Sequence, residues 1–211
     1  MKLTWLGHSC FMLEHDSYKL VIDPYKDVPG YPPLRLKADC VYCSHAHSDH
    51  NATDVVTPRK GWRNPFAVRT VRTFHDDKEG AERGENAIHV FSADDITIAH
   101  MGDLGHHLTL EQVQEIGPLT VMLIPVGGHY TIDAMGAKSA CMALRPRCVI
   151  PMHYYHPPYG MPNLADVESF LKLWPFASIH RLHGNSLEIT KDMPSGVYVP
   201  EYVEPSKTQE G

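Results

Sequence analysis

The sequence predicts a layered domain of the α/β or α+β class, with sheets inside and helices packed outside. Three observations carry this. The first half is a series of short apolar, aromatic or β-branched runs broken by turn residues, and the second half alternates such runs with helical patterns. No repeat of 20–50 residues recurs. No linker-like shift of composition divides the 211 residues, a length nearer one domain than two at about 150 residues per domain. The expectation is therefore a single domain over 1–211, with a loosely held Pro- and charge-rich tail from about 191.

Strands are expected at 2–6, 10–14 and 19–23, set apart by Gly7 and by Asp16-Ser17. Residues 24–37 carry four prolines and a glycine and read as a loop. A short apolar strand at 39–44 follows, then strands at 66–74, 87–91 and 96–100, with a polar loop at 75–85. Thr109, with Gln112 three residues on, is a capping-box start for a helix to 116, stopped by Gly117-Pro118. The unbroken apolar run 119–126 is typical of a strand buried on both faces. A helix at 132–144, a strand at 148–152, a helix at 163–173 and strands at 179–182 and 187–190 close the pattern.

Hydrophobic residues at 43% and charged residues at 21% exclude a disordered or fibrous chain. A net charge of −6 argues against a broad grip on long nucleic acid or an anionic membrane. No run reads as a membrane span or export signal. The five cysteines are odd in number and lie in apolar surroundings, so buried free thiols in a reducing, cytoplasmic setting are expected, the Cys40-Val-Tyr-Cys43 pair included.

The abnormal figure is 15 histidines. Four metal-ligating side chains fall within six residues in Ser44-His45-Ala46-His47-Ser48-Asp49-His50-Asn51, directly after a strand. Alternate residues of extended chain point the same way, so His45 and His47 can share one cation while Asp49 and His50 face a second. Further His/Asp clusters follow apolar runs at His100-Met-Gly-Asp103, Gly128-His129-Tyr130 and Met152-His153-Tyr154. A two-metal site needs about seven ligands with one bridging carboxylate. His45, His47, Asp49, His50, His100, Asp103 and His153 supply that number.

These motifs resemble the metallo-β-lactamase-fold hydrolases over roughly residues 2–190. Gly7-His8-Ser9, Val21-Ile22-Asp23-Pro24 and Ile150-Pro-Met-His153-Tyr154 are similar to the small single-domain branch related to the ascorbate-phosphate lactonases. The resemblance implies an α+β, four-layer αββα sandwich. It implies one cation on His45, His47 and His100, another on Asp49, His50 and His153, and Asp103 between them. Flavodiiron-type members carry Glu where this chain has His47, so an oxygen-reducing di-iron site is not expected.

The expected function is a dinuclear metal-dependent hydrolase that uses a metal-bridging hydroxide on a small ester, lactone or phosphodiester, with an anionic group accepted at the positively charged site. A nucleotide or nucleic-acid phosphodiesterase, or a metal-binding regulatory protein without turnover, are the alternatives. Two Zn²⁺ ions are expected, with Mn²⁺ or Fe²⁺ suited to the same ligands. Asp49 is expected to serve catalysis as well as metal binding, and His75 and His129 to contact substrate from their loops. Asp23 is expected behind a ligand histidine, fixing its tautomer. His8, Arg83 and Asn86 carry no assigned role.

Overall fold

The computed structural model describes residues 1–204. Strands β1 (Lys2–Gly7), β2 (Cys10–His15) and β3 (Tyr18–Ile22) form an antiparallel meander, turned at Asp16 and Ser17 with positive φ. Then come β4 (Leu36–Ala38), β5 (Cys40–Tyr42) and β6 (Val56–Pro58), followed by β7 (Ala67–Phe74), β8 (Glu85–Ala93) and β9 (Ile96–His100). The rest is α1 (Leu110–Ile116), β10 (Val121–Pro125), α2 (Ala134–Leu144), β11 (Cys148–Met152), α3 (Glu168–Leu171), β12 (Ile179–Arg181), β13 (Ser186–Glu188) and β14 (Gly196–Val199).

One sheet has the order β13-β1-β2-β3-β5, the other β12-β14-β11-β10-β9-β8-β7, and β4 pairs with β6 in a small third sheet. A single hydrophobic cluster runs through both large sheets, from Leu3 to Tyr202. All five residues of β10 and of β11 are buried, as parallel strands covered on both faces should be. The capping box at Thr109 is complete: its hydroxyl accepts from the Gln112 N–H while the Gln112 side chain accepts from the Thr109 N–H. This is the mixed α+β sandwich that the sequence predicts.

Three expectations change. The tail expected from about 191 contains a strand. Val197-Tyr198-Val199 enters the large sheet as β14 between β11 and β12, parallel to both, and Tyr202 is buried behind it. The last residues, 205–211, lie outside the described part. The loop 24–37 yields its end to β4, and the helix expected at 163–173 shrinks to Glu168–Leu171. There the backbone of Ala165 is already engaged by Gly127 and Tyr155, so it cannot join a helical ladder. Strand pairing sets what matters for function. β1, β3 and β5 run parallel to one another in one sheet, as do β7, β9, β10 and β11 in the other.

Candidate metal centre

The candidate residues sit just past strand ends: His8 after β1, Asp23 after β3, Ser44 and His45 after β5, His75 after β7, Asp103 after β9 and His153 after β11. His8, Asp23 and His153 each take the left-handed backbone, with φ of 49°, 49° and 53°. That conformation costs about 1–3 kcal/mol per residue and persists where packing over-determines it. Here it turns each chain sharply off its strand.

Two groups of donors result. His45, His47 and His75 form one, with ring centroids 4.7–5.2 Å apart. His8, Asp49, His50 and His153 form the other. The buried Asp103 carboxylate lies between them. Its Oδ2 is 3.1 Å from His75 Nε2, 3.2 Å from His153 Nε2 and 3.9 Å from His45 Nε2, and its Oδ1 is 3.2 Å from His50 Nε2. Two ligands of a tetrahedral cation with bonds of about 2.0–2.1 Å stand about 3.3–3.4 Å apart; the separations of 3.1–3.2 Å are near that edge and also within hydrogen-bond range, and the one of 3.9 Å is longer than either. His45 Nε2, His50 Nε2 and Asp103 Oδ1 are buried without a hydrogen-bond partner, which fits donors directed at a cation.

Asp23 sets the protons. Its carboxylate accepts from the Ser44 N–H (2.7 Å), the Ser44 hydroxyl (2.6 Å) and His50 Nδ1 (2.7 Å). The Ser44 hydroxyl has given its one proton to Asp23, so it can only accept at its 2.9 Å contact with His45 Nδ1. Both imidazoles therefore carry their proton on Nδ1 and offer Nε2 to the site. Burial opposes the charge on Asp23, but His100, His50 and Ser44 outweigh it and bring its carboxyl down to about 2.

The field around the donors favours a cation. Burial works against the charge of Asp103, yet His153 and His50 hold its carboxyl well below the usual range. Burial likewise opposes a charged His50, and Asp103 and Asp23 on either side raise it well above its ordinary value. Positive charge is thus stabilised at His50, be it a proton or a metal ion. Burial lowers His45 to about 3 and, with His153, lowers His8 to about 4, so both are neutral donors at pH 7. Asp49, opposed by burial, is held well below its ordinary value by His8 and His50.

The structure places three of the residues singled out from the sequence differently from expectation. His100 stands apart from the donors. Its Nε2 donates to the Ser9 carbonyl (2.9 Å) and its Nδ1 accepts the Gly102 N–H (3.1 Å), leaving no lone pair for a metal. His75, expected to contact substrate, takes the place beside His45 and His47. His129 is exposed and packs on the Tyr130 ring; Tyr130, not His129, lines the cavity. Cys40 and Cys43 are only half-buried, although no disulfide forms among the described residues. His8 was missed as a member of the cluster, and the signal was present: a histidine directly after an apolar strand, as at His75 and His153.

The cavity over the donors has a volume of about 360 Å³ and is lined by His47, Asp49, His75, Asp103 and His153 with Arg83, Tyr130 and Met161. Arg83 is fixed by the loop that carries it. The Asp76 carboxylate accepts from the N–H groups of Lys78, Gly80, Glu82 and Arg83, and the guanidinium lies 5.9 Å from the Tyr130 ring centre. Asn86 is occupied by the fold: it accepts from the Asp103 N–H and donates to Thr73 and the Met101 carbonyl.

Comparison with known proteins agrees with this geometry. Residues 2–153 match the family model described as a β-lactamase superfamily domain. A UPF0173 metal-dependent hydrolase of Archaeoglobus fulgidus is 31% identical over 196 residues, covering 73% of this chain and 83% of that protein. One from Pyrococcus furiosus is 30% identical over 212 residues, covering 82% and 92%. The chain belongs to the UPF0173 metal-dependent hydrolases of the β-lactamase superfamily. A crystal structure from Thermotoga maritima, named for a Zn-dependent hydrolase of the metallo-β-lactamase superfamily, is similar to this UPF0173 chain at 37% identity and a TM-score of 0.76, covering 96% of this chain and 99% of that one. A metallo hydrolase from Ignicoccus hospitalis has 25% identity and a TM-score of 0.59, covering 82% and 89%. Among the described residues no helix is long and apolar enough to cross a membrane.

Proposed function

We propose that this metal-dependent hydrolase is dinuclear and cleaves a small ester, lactone or phosphodiester carrying an anionic group. One observation carries the reading: the Asp103 carboxylate lies between His45, His47 and His75 on one side and Asp49, His50 and His153 on the other, within 3.2 Å of His75, His50 and His153. Divalent cations held by these residues would supply a hydroxide at neutral pH and polarise the oxygen of the bond under attack. Zn²⁺ suits a set of imidazoles and carboxylates, and Mn²⁺ or Fe²⁺ would accept it too.

The chain's own residues do the rest. Asp23 and Ser44 keep the His50 and His45 protons on Nδ1, away from the site. Asp49 remains an ionised acceptor at the cavity wall. Arg83 supplies a cation to that wall for a negatively charged substrate, and Tyr130 and Met161 supply apolar surface. A cavity of about 360 Å³ suits a small molecule.

Elemental analysis after loading and desalting should give two divalent ions per chain, and the loaded protein should turn over p-nitrophenyl phosphodiester, ester or lactone probes. His75→Ala should lose metal and turnover together, whereas His129→Ala should keep both. A plateau at one ion refutes the dinuclear reading. Two bound ions without hydrolysis of any probe class refutes the substrate reading.

A further inference from the structure

We propose that His8 is a further direct donor to the cation held by Asp49, His50 and His153. The inference rests on the dinuclear reading above and adds a sixth imidazole to it. Its side chain has no solvent exposure, and neither Nδ1 nor Nε2 has a hydrogen-bond partner. A buried imidazole left wholly unpaired is destabilising, and an apolar residue there would avoid the penalty. The ring has instead been built into the donor cluster. Its centroid lies 4.3 Å from that of His153 and 5.3 Å from that of His50.

Its backbone is fixed for this purpose. The His8 carbonyl accepts from the Trp5 indole N–H at 3.0 Å and from the His153 N–H at 3.4 Å. Gly7 before it, at φ 104°, could not carry a Cβ, because Tyr31 ring carbons stand 2.5 and 2.8 Å from that position. The chain turns off β1 in one way only, and that way delivers the ring to Asp49.

His8 Nε2 stands 3.4 Å from Asp49 Oδ2. The contact does not have hydrogen-bond geometry, and His8 Nε2 is left without a partner, so His8 is not simply a brace for Asp49. The separation is close to the ligand–ligand edge of about 3.3–3.4 Å that two donors of one tetrahedral cation have; the 3.7 Å between His50 Nε2 and Asp49 Oδ2 is less close to it. With His8 added, this cation has four donors of its own besides the shared Asp103, against three for the His45/His47/His75 site. The second site is then the better filled by protein, and the open position for substrate belongs to the first.

Paramagnetic NMR of the wild-type protein loaded with two Co²⁺ ions tests this without any substitution. Six hyperfine-shifted imidazole N–H resonances are expected, from His8, His45, His47, His50, His75 and His153; five, with His8 absent, overturn the proposal. His8→Gln places an amide donor beside Asp49 without an imidazole. It should weaken the second Co²⁺ equivalent by more than about 100-fold in chelator competition, beyond the about 10–100-fold that a residue behind a ligand contributes. The first equivalent should bind as in wild type. Unchanged affinity for both equivalents overturns the proposal and leaves the dinuclear reading standing. A wild-type protein that takes one equivalent overturns both.

Discussion

Replacing Asp23 by Asn changes one oxygen for one nitrogen, 0% exposed and outside both donor groups, yet it should weaken both proposed cation sites. The carboxylate now accepts from three buried donors: the Ser44 N–H, the Ser44 hydroxyl and His50 Nδ1. With the Asn carbonyl kept on the Ser44 N–H, its NH₂ meets the Ser44 hydroxyl and His50 Nδ1. His50 must then accept, which moves its proton to Nε2. The Ser44 hydroxyl, now accepting from the amide, turns its own proton to His45 Nδ1 and drives that ring to the same tautomer. Each imidazole would present N–H where a lone pair is required. At about 10–100-fold for each lost orienting partner, both metal affinities should fall by that factor. Competition against a chromophoric chelator measures the two affinities, and near-native circular dichroism checks the fold. Asp23→Ala is the poorer probe: at about 1–3 kcal/mol for each orphaned donor, three losses approach the whole stability of about 5–15 kcal/mol. If Asp23→Asn binds both cations as wild type does, the proton relay through Ser44 is wrong.

Two further perturbations report on the loop that carries His75 and Arg83. A Cβ on Gly105 would stand 2.2 Å from the His75 carbonyl carbon and 2.3 Å from the Asp76 nitrogen, so Gly105→Ala should displace His75 and weaken the first cation more than the second; equal affinities would contradict this. Burial opposes ionisation of Asp76, but the N–H groups of Arg83, Lys78, Glu82 and Gly80 prevail and bring its carboxyl down to about 2. A depressed folded value means that the stabilisation is present above the unfolded value of about 3.9 and is lost as pH falls towards 2. Amide exchange at residues 78–83 should therefore accelerate over that window in wild type and be fast throughout in Asp76→Ala.

The sequence made the local part of the site legible and left its long-range part open. His45, His47, Asp49 and His50 are close in the chain, so their meeting needs only a turn, which the His47 carbonyl makes by accepting from the His50 and Asn51 N–H groups. His75 and His100 are different. Both follow apolar runs, and both strands end at the same edge, so no local pattern separates them. Side-chain alternation and the pairing of the sheets decide: the last residue of β9 turns His100 to the Ser9 carbonyl, while the first residue after β7 carries His75 to Asp103. The same limit hid β14. Its short run Val197-Tyr198-Val199 lies between polar, proline-bearing flanks, and only its partners β11 and β12 make it a strand.

The energetics of the site and of the fold are therefore one problem. The large sheets bring strand ends to one edge, and the core holds His8, Asp23 and His153 in a backbone conformation that each disfavours by about 1–3 kcal/mol. That strain is balanced by burial around it: Trp5, Phe11, Ile22 and Met152, on the strands leading into or beside those turns, are each no more than 2% exposed. The buried nitrogens of His8, His45 and His50 and one oxygen of Asp103 have no hydrogen-bond partner among the described residues. A ligand bound to them in the native state alone would stabilise the fold, by an amount that grows with the logarithm of its concentration over its dissociation constant. The polypeptide thus places polar groups together at the expense of its own stability, and a cation bound there and the native state of this edge would stabilise one another.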